Sequence, residues 1–193
     1  MWAKVRISIT AFRRYFRSRG FGIQSPWAYS FNRYVINERY PYYFYKELDA
    51  MHPRLSHIDR KLCLLYFRIA NYLQPANVFD TFHTRSAFEE SFIAGCAKTH
   101  YIHTLDNSQL TFGDGPNIYI CDINNVDLTS RLLEESPQKS LLIVTDIHAS
   151  HVQRGRWEVL AADTRTGVCF DLYHCGLVFF DNKKTKQNYV IYF

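Results

Sequence analysis

Asp146-Ile147-His148-Ala149-Ser150-His151 puts one carboxylate and two imidazoles within six residues, just after the apolar run Leu141 to Ile147. Imidazole and carboxylate are ligands for zinc and similar metals, and one carboxylate with two histidines can form a facial set. The same groups suit proton transfer, since imidazole changes charge close to neutral pH. No HExxH helical spacing accompanies them, so no metal is assigned. A solvated or packed loop is the ordinary alternative for so short a motif.

A second stretch, Val78 to Phe88 (VFDTFHTRSAF), reads as strand, turn and helix start without a glycine. In α/β sheets, ligands sit at the carboxyl ends of strands, and Asp80, Asp106, Asp122 and Asp146 occupy such ends. Carboxylates there can accept hydrogen bonds from ribose hydroxyls or an amine, although strand-end aspartates commonly cap loops instead. Ser86 opens the helix with Glu89 three residues on, the arrangement of a capping box. With His83 and Arg85 beside it, Ser86 could hold an anion at a helix N-terminus. Arg85 exposed and paired with Glu89 is the better reading.

The elements that would position these residues follow from periodicity. Leu62, Leu65, Tyr66, Ile69, Ala70 and Leu73 recur at helical spacing and predict a helix from Ile58 to Leu73, stopped by Pro75. Strands are expected at Asn77 to Phe82, Tyr101 to Asp106, Asn117 to Ile123 and Leu141 to Ile147. Helices are expected at Ser86 to Ala97, Leu128 to Glu135 and His151 to Ala162. Three closely spaced strands end the chain, at Gly167 to Tyr173, Gly176 to Phe180 and Tyr189 to Phe193. Upstream, Ser25-Pro26 predicts a helix from Trp27 to about Glu38, and the aromatic run from Tyr40 to Tyr45 reads as a packed connector. The alternation specifies an α/β sheet, mostly parallel with antiparallel C-terminal strands.

Composition bounds the partners. Among the 193 residues, Lys4, Arg6, Arg13, Arg14, Arg17 and Arg19 lie in the first 20 with no acid, while the rest of the chain carries 17 bases against 18 acids. The basicity therefore belongs to the N-terminus. That segment could lie on an anionic membrane surface, contact nucleic acid, or pack on the domain, with a homodimer as one arrangement. Without a second basic patch, nucleic acid is the weakest of the three. Five cysteines without a CxxC pair fit buried free thiols in a reduced, cytoplasmic setting. No apolar run reaches the roughly 18 residues of a membrane span, and Arg13 and Arg14 interrupt any signal-peptide core.

Several stretches together, RSRGFGIQSPWAYSF (17 to 31), YPYYFYKEL (40 to 48), LLYFRIANYLQP (64 to 75), LLIVTDIH (141 to 148) and the tail DLYHCGLVFF with KQNYVIYF, resemble bacterial class I S-adenosylmethionine-dependent methyltransferases. The resemblance implies a Rossmann-like methyltransferase sheet at 58–193 behind a basic, aromatic helical extension at 1–57. It places Asp80 at the end of the first strand, and Phe82 and Ser86 where glycines would let backbone approach the cofactor. It gives Asp106 the ribose hydroxyls, and sets Asp146 and His148 beside the methyl acceptor, with His148 as general base. Only about ten residues, Asn107 to Pro116, separate Asp106 from the next strand, too few for the helix and strand that would carry the adenine side. Phe82 would put a ring where methionine or ribose should lie. The implied function is therefore a methyltransferase-like protein with a degenerate S-adenosylmethionine site and a binding or regulatory role. An active methyltransferase, and a membrane or nucleic-acid adaptor, are the alternatives.

Overall fold

A computed structural model describes residues 23–82, 86–104, 110, 112, 115–135, 138–181, 183–191 and 193. The basic segment at 1–20, the turn residues His83, Thr84 and Arg85, and Asp106 lie outside the described residues.

Helix α1 (Pro26–Phe31) starts where Ser25 Oγ accepts the Ala28 N–H at 3.3 Å, with Pro26 in the first turn. It runs into one turn of π-helix, Asn32–Ile36, rather than continuing to Glu38. Arg68 explains the stop: its guanidinium donates to the carbonyls of Val35 at 2.6 Å and Ile36 at 3.1 Å, and to the Tyr45 hydroxyl at 3.0 Å. The aromatic run expected as a connector instead enters helix α2 (Tyr43–Met51). Past Pro41 nothing breaks a helix there, and Phe44 and Leu48, four apart, are buried on its inner face. Phe44 stacks on Phe67 with centroids 5.1 Å apart.

Helix α3 (His57–Leu73) begins at an N-cap, Ser56, and ends at Gln74 in the left-handed region with φ 49°. Then follow β1 (Asn77–Asp80), α4 (Ser86–Gly95), β2 (His100–His103), β3 (Asn117–Asp122), α5 (Val126–Glu135), β4 (Leu141–Thr145), α6 (His151–Ala162), β5 (Val168–Asp171), β6 (Cys175–Phe179) and β7 (Gln187–Val190). The strands form one sheet in the order β2-β1-β3-β4-β6-β5-β7. β1 to β4 pair in parallel, and β5 pairs in parallel with β7. Among the described strands only β6 runs against its neighbours, between β4 and β5, and the short turn from Asp171 to Cys175 allows a hairpin and no crossover between β5 and β6. Chain order reverses between β1 and β3, so a crevice is expected at their carboxyl ends. β2 is the last strand on that side, and no helix or strand among the described residues separates it from β3.

Both faces of the sheet are covered, and alternation along each strand divides the core. Val78, Ile118, Ile120 and Ile143 join α1 to α4 on one face. Phe79, Tyr119, Cys121, Leu142 and Val144 join α5 and α6 on the other. Trp27 and Phe31 meet Phe179 edge-on at 4.9 and 5.1 Å, so helices before residue 57 belong to the first of these cores. The five cysteines are buried free thiols, and burial pushes the Cys169 thiol up to about 11. A thiol so raised stays protonated and is a poor nucleophile. Among the described residues no helix is long and apolar enough to cross a membrane.

Lys186, on the loop before β7, closes the end of α6. Its ammonium donates to the carbonyls of Ala161 at 2.9 Å and Asp163 at 2.7 Å, and Asn188 adds a bond to Ala161 at 3.0 Å. A cation at a helix C-terminus meets both the orphan carbonyls and the dipole. Lys186→Met is expected to cost about 1 kcal/mol in urea unfolding, with less loss for Lys186→Arg.

Candidate functional site

Two corners of the sheet's carboxyl edge carry the titratable side chains. The first lies at the ends of β1 and β2. Asp80 is wholly buried. Its Oδ1 accepts the Phe82 N–H at 2.8 Å, and its Oδ2 accepts the Tyr101 hydroxyl. Parallel register brings these groups together: Val78 pairs with Tyr101 and Asp80 with His103, so Tyr101 and Asp80 are near neighbours on the same face. Burial, and then the carboxylate itself, hold the Tyr101 hydroxyl far above its ordinary range, which keeps it protonated and a donor. Burial likewise raises the Tyr66 hydroxyl from α3, and the nearby Asp80 carboxylate adds to the rise. Backbone ties complete the corner, with Thr81 N–H on the Ile120 carbonyl at 2.9 Å and Thr104 N–H on the Asp80 carbonyl at 3.1 Å.

Among the residues expected to hold a cofactor, Asp80 is built into this network by its side chain. Phe82 contributes its N–H, while the residue is 38% exposed and belongs to neither core. The aromatic side chain hydrogen-bonded to Asp80 is that of Tyr101. Ser86 is exposed at the start of α4, and Asp106 lies outside the described residues. Asp122 follows the loop-capping alternative, its Oδ1 accepting the Asn124 N–H at 2.5 Å.

The second corner lies at the ends of β4 and β5. His148 Nε2 is 2.8 Å from Asp171 Oδ2, and their side chains are only 13% and 10% exposed. The other carboxylate oxygen, Oδ1, accepts the Tyr173 N–H at 2.9 Å. The His148 ring stacks on Tyr173, centroids 5.1 Å apart and planes 8° from parallel. Two non-glycine residues in the left-handed region shape the loops, Asp146 with φ 56° and Tyr173 with φ 75°. Asp146 N–H donates to the His174 carbonyl at 3.1 Å, joining the two loops across the start of β6. Residues held at positive φ cost energy and are kept where surrounding structure demands them.

Of the two residues expected beside the methyl acceptor, His148 is held by Asp171. Asp146 is exposed and turns the chain, and His151 is exposed at the start of α6. The facial set considered for the DIHASH motif is not assembled: among the described residues no group of three or more His, Cys, Asp or Glu side chains could hold a metal ion. The strand that the sequence predicts through Tyr173 hides Asp171 and Tyr173, since β5 ends at Asp171. The signal was present in Asp171, a carboxylate closing an apolar strand as Asp80 does, followed by a short turn into β6.

No family model, curated protein or solved structure matches the chain. Chemically, the first corner is a carboxylate engaged by protein donors. The second is an imidazole oriented by a fixed carboxylate, a pairing that selects one ring tautomer and can stabilise the protonated ring.

Proposed function

We propose that the chain is a Rossmann-like domain of the S-adenosylmethionine-dependent methyltransferase type that has lost its cofactor and acts by binding a ligand or a protein partner. The observation carrying this reading is the buried Asp80 carboxylate, engaged by the Tyr101 hydroxyl and the Phe82 N–H. The acid that the resemblance would place beside a cofactor is held as part of the packing. Two features support the same reading. The turn after β1 has no glycine, and no helix or strand among the described residues supplies an adenine side between β2 and β3.

Isothermal titration with S-adenosylmethionine and S-adenosylhomocysteine tests it. No heat of binding is expected at ligand concentrations up to the millimolar range. Micromolar binding abolished by Asp106→Ala would overturn the reading and establish a working cofactor site. That second reading, an active methyltransferase, is favoured by one observation, the His148–Asp171 pair, which would place a base beside a methyl acceptor.

A further inference from the structure

The helical layer before α3 carries side chains that neither the cofactor reading nor the packing of the sheet uses. We propose that the outer surface of α1, the π-helical turn Asn32–Ile36 and α2 docks on an anionic phospholipid bilayer. Tyr34, Tyr40 and Tyr43 enter the headgroup region, and Arg33, Arg39 and Lys46 meet the lipid phosphate and carboxylate groups. Docking of this kind does not depend on a working S-adenosylmethionine site.

Three observations carry the assignment. The first is exposed aromatic area beside a filled core. On α2, Phe44 and Leu48 are buried, whereas Tyr43 is 90% exposed and Lys46 is exposed one turn further along. Tyr34 and Tyr40 are 59% and 63% exposed. Tyrosine combines an apolar ring with a polar tip, and it is enriched where a bilayer meets water.

The second is that packing gathers these rings and holds them. Arg68 of α3 bonds the Val35 and Ile36 carbonyls and the Tyr45 hydroxyl, so the turn carrying Tyr34 and the first turn of α2 are tied to one side chain. Beside it, Tyr42 meets Phe67 and Tyr45 edge-on with centroids 5.1 and 5.5 Å apart, and Tyr40 meets Tyr42 at 5.0 Å. The rings thus run from the buried Phe67 outward to the exposed Tyr40. Side chains already ordered lose little entropy on docking.

The third is charge. Residues 1–51 carry nine bases and three acids, and the rest of the chain 14 bases and 15 acids. Arg33, Arg39 and Lys46 are exposed, and the Arg33 guanidinium lies 5.9 Å from the Tyr34 ring centroid. Of the acids, Glu38 accepts the backbone N–H groups of Arg39 at 2.6 Å and Tyr40 at 2.9 Å. Asp49 is paired with Arg60 at 2.7 Å, and Glu47 is exposed. Bases beside an anionic leaflet attract it, and salt weakens that attraction. Upstream, outside the described residues, the sequence interleaves its six bases with Trp2, Val5, Ile9, Phe12 and Phe16. Val5 and Ile9 have no ring to stack on a nucleobase, and apolar anchors among bases suit the acyl boundary of a bilayer.

Co-sedimentation of the full chain with vesicles tests the proposal, using phosphatidylcholine alone and an equimolar mixture with phosphatidylserine. Binding to the anionic vesicles is expected to exceed binding to the neutral ones by about tenfold or more, and to fall as salt rises from about 0.1 M to about 0.5 M. Tyr40→Ser with Tyr43→Ser should weaken it about fivefold or more, and Arg33→Gln with Arg39→Gln about tenfold. Val152→Ser with Val159→Ser, on exposed residues of α6 across the sheet, should keep wild-type binding. Should the double tyrosine variant fail to fold, Tyr43→Ser alone, at the most exposed of these rings, takes its place. No binding to the anionic vesicles, or equal binding by wild type and the tyrosine variant, would overturn the proposal. So would a single-stranded oligouridylate held by wild type and released by the tyrosine variant, since the surface would then belong to nucleic acid.

Discussion

Asp80→Ala is expected to lower the unfolding free energy by about 3 kcal/mol, measured as a fall in the urea midpoint with unchanged slope. The substitution removes a wholly buried carboxylate and strands two donors, the Tyr101 hydroxyl and the Phe82 N–H. A buried donor left without its acceptor bears its full desolvation penalty, about 1–3 kcal/mol each. Asp80→Asn should cost less, since an amide oxygen can still accept from Phe82. The direction is informative about function. A carboxylate reserved for a ligand is commonly held at some expense to stability, so that its removal leaves the fold unharmed or firmer. A large loss marks Asp80 as part of the packing.

Gly95→Ala is the second large effect expected, about 2–3 kcal/mol of destabilisation by the same measurement, as for overpacked cores. Gly95 ends α4 where that helix approaches α3. A Cβ there would stand 2.3 Å from the Phe67 carbonyl oxygen and 2.8 Å from the Ala70 Cβ. Neither neighbour is the free end of a flexible side chain, so the two helices would have to separate. Because α4 follows the turn after β1, such a shift also disturbs the Asp80 corner. Gly155, inside α6, is the contrast: a Cβ there meets nothing within 4 Å. Gly155→Ala is therefore expected to stabilise by about 0.5–1 kcal/mol through backbone entropy.

Periodicity carried most of the fold. Helix α3 was legible because Leu62, Leu65, Tyr66 and Ile69 repeat at its period, and β4 because Leu141 to Val144 are continuously apolar and the strand is central. The failures have physical causes. Helix α2 was read as a connector because Tyr42, Tyr43, Phe44 and Tyr45 are aromatic all round. Burial in the structure selects Phe44 and Leu48. The early end of the first helix depends on Arg68, more than thirty residues away in sequence, reaching the Val35 and Ile36 carbonyls. No local pattern encodes such a contact.

The site was legible as residue types and illegible as partnerships. Strand-end position singled out Asp80 and the loop after β4 singled out His148. Which groups they meet is decided by strand pairing. Tyr101 reaches Asp80 through the β1–β2 register, and Asp171 reaches His148 because β6 inserts between β4 and β5. In both corners the partner comes from another strand more than twenty positions along the chain, at separations of 21 and 23 residues.

The most direct measurement is a double-mutant cycle between Asp80→Asn and Tyr101→Phe, read by urea unfolding of the wild type, both single variants and the pair. A coupling free energy of about 1–3 kcal/mol is expected if the two side chains serve each other within the fold. Additive single losses, with no coupling, would contradict a structural Asp80 and return its carboxylate to a ligand.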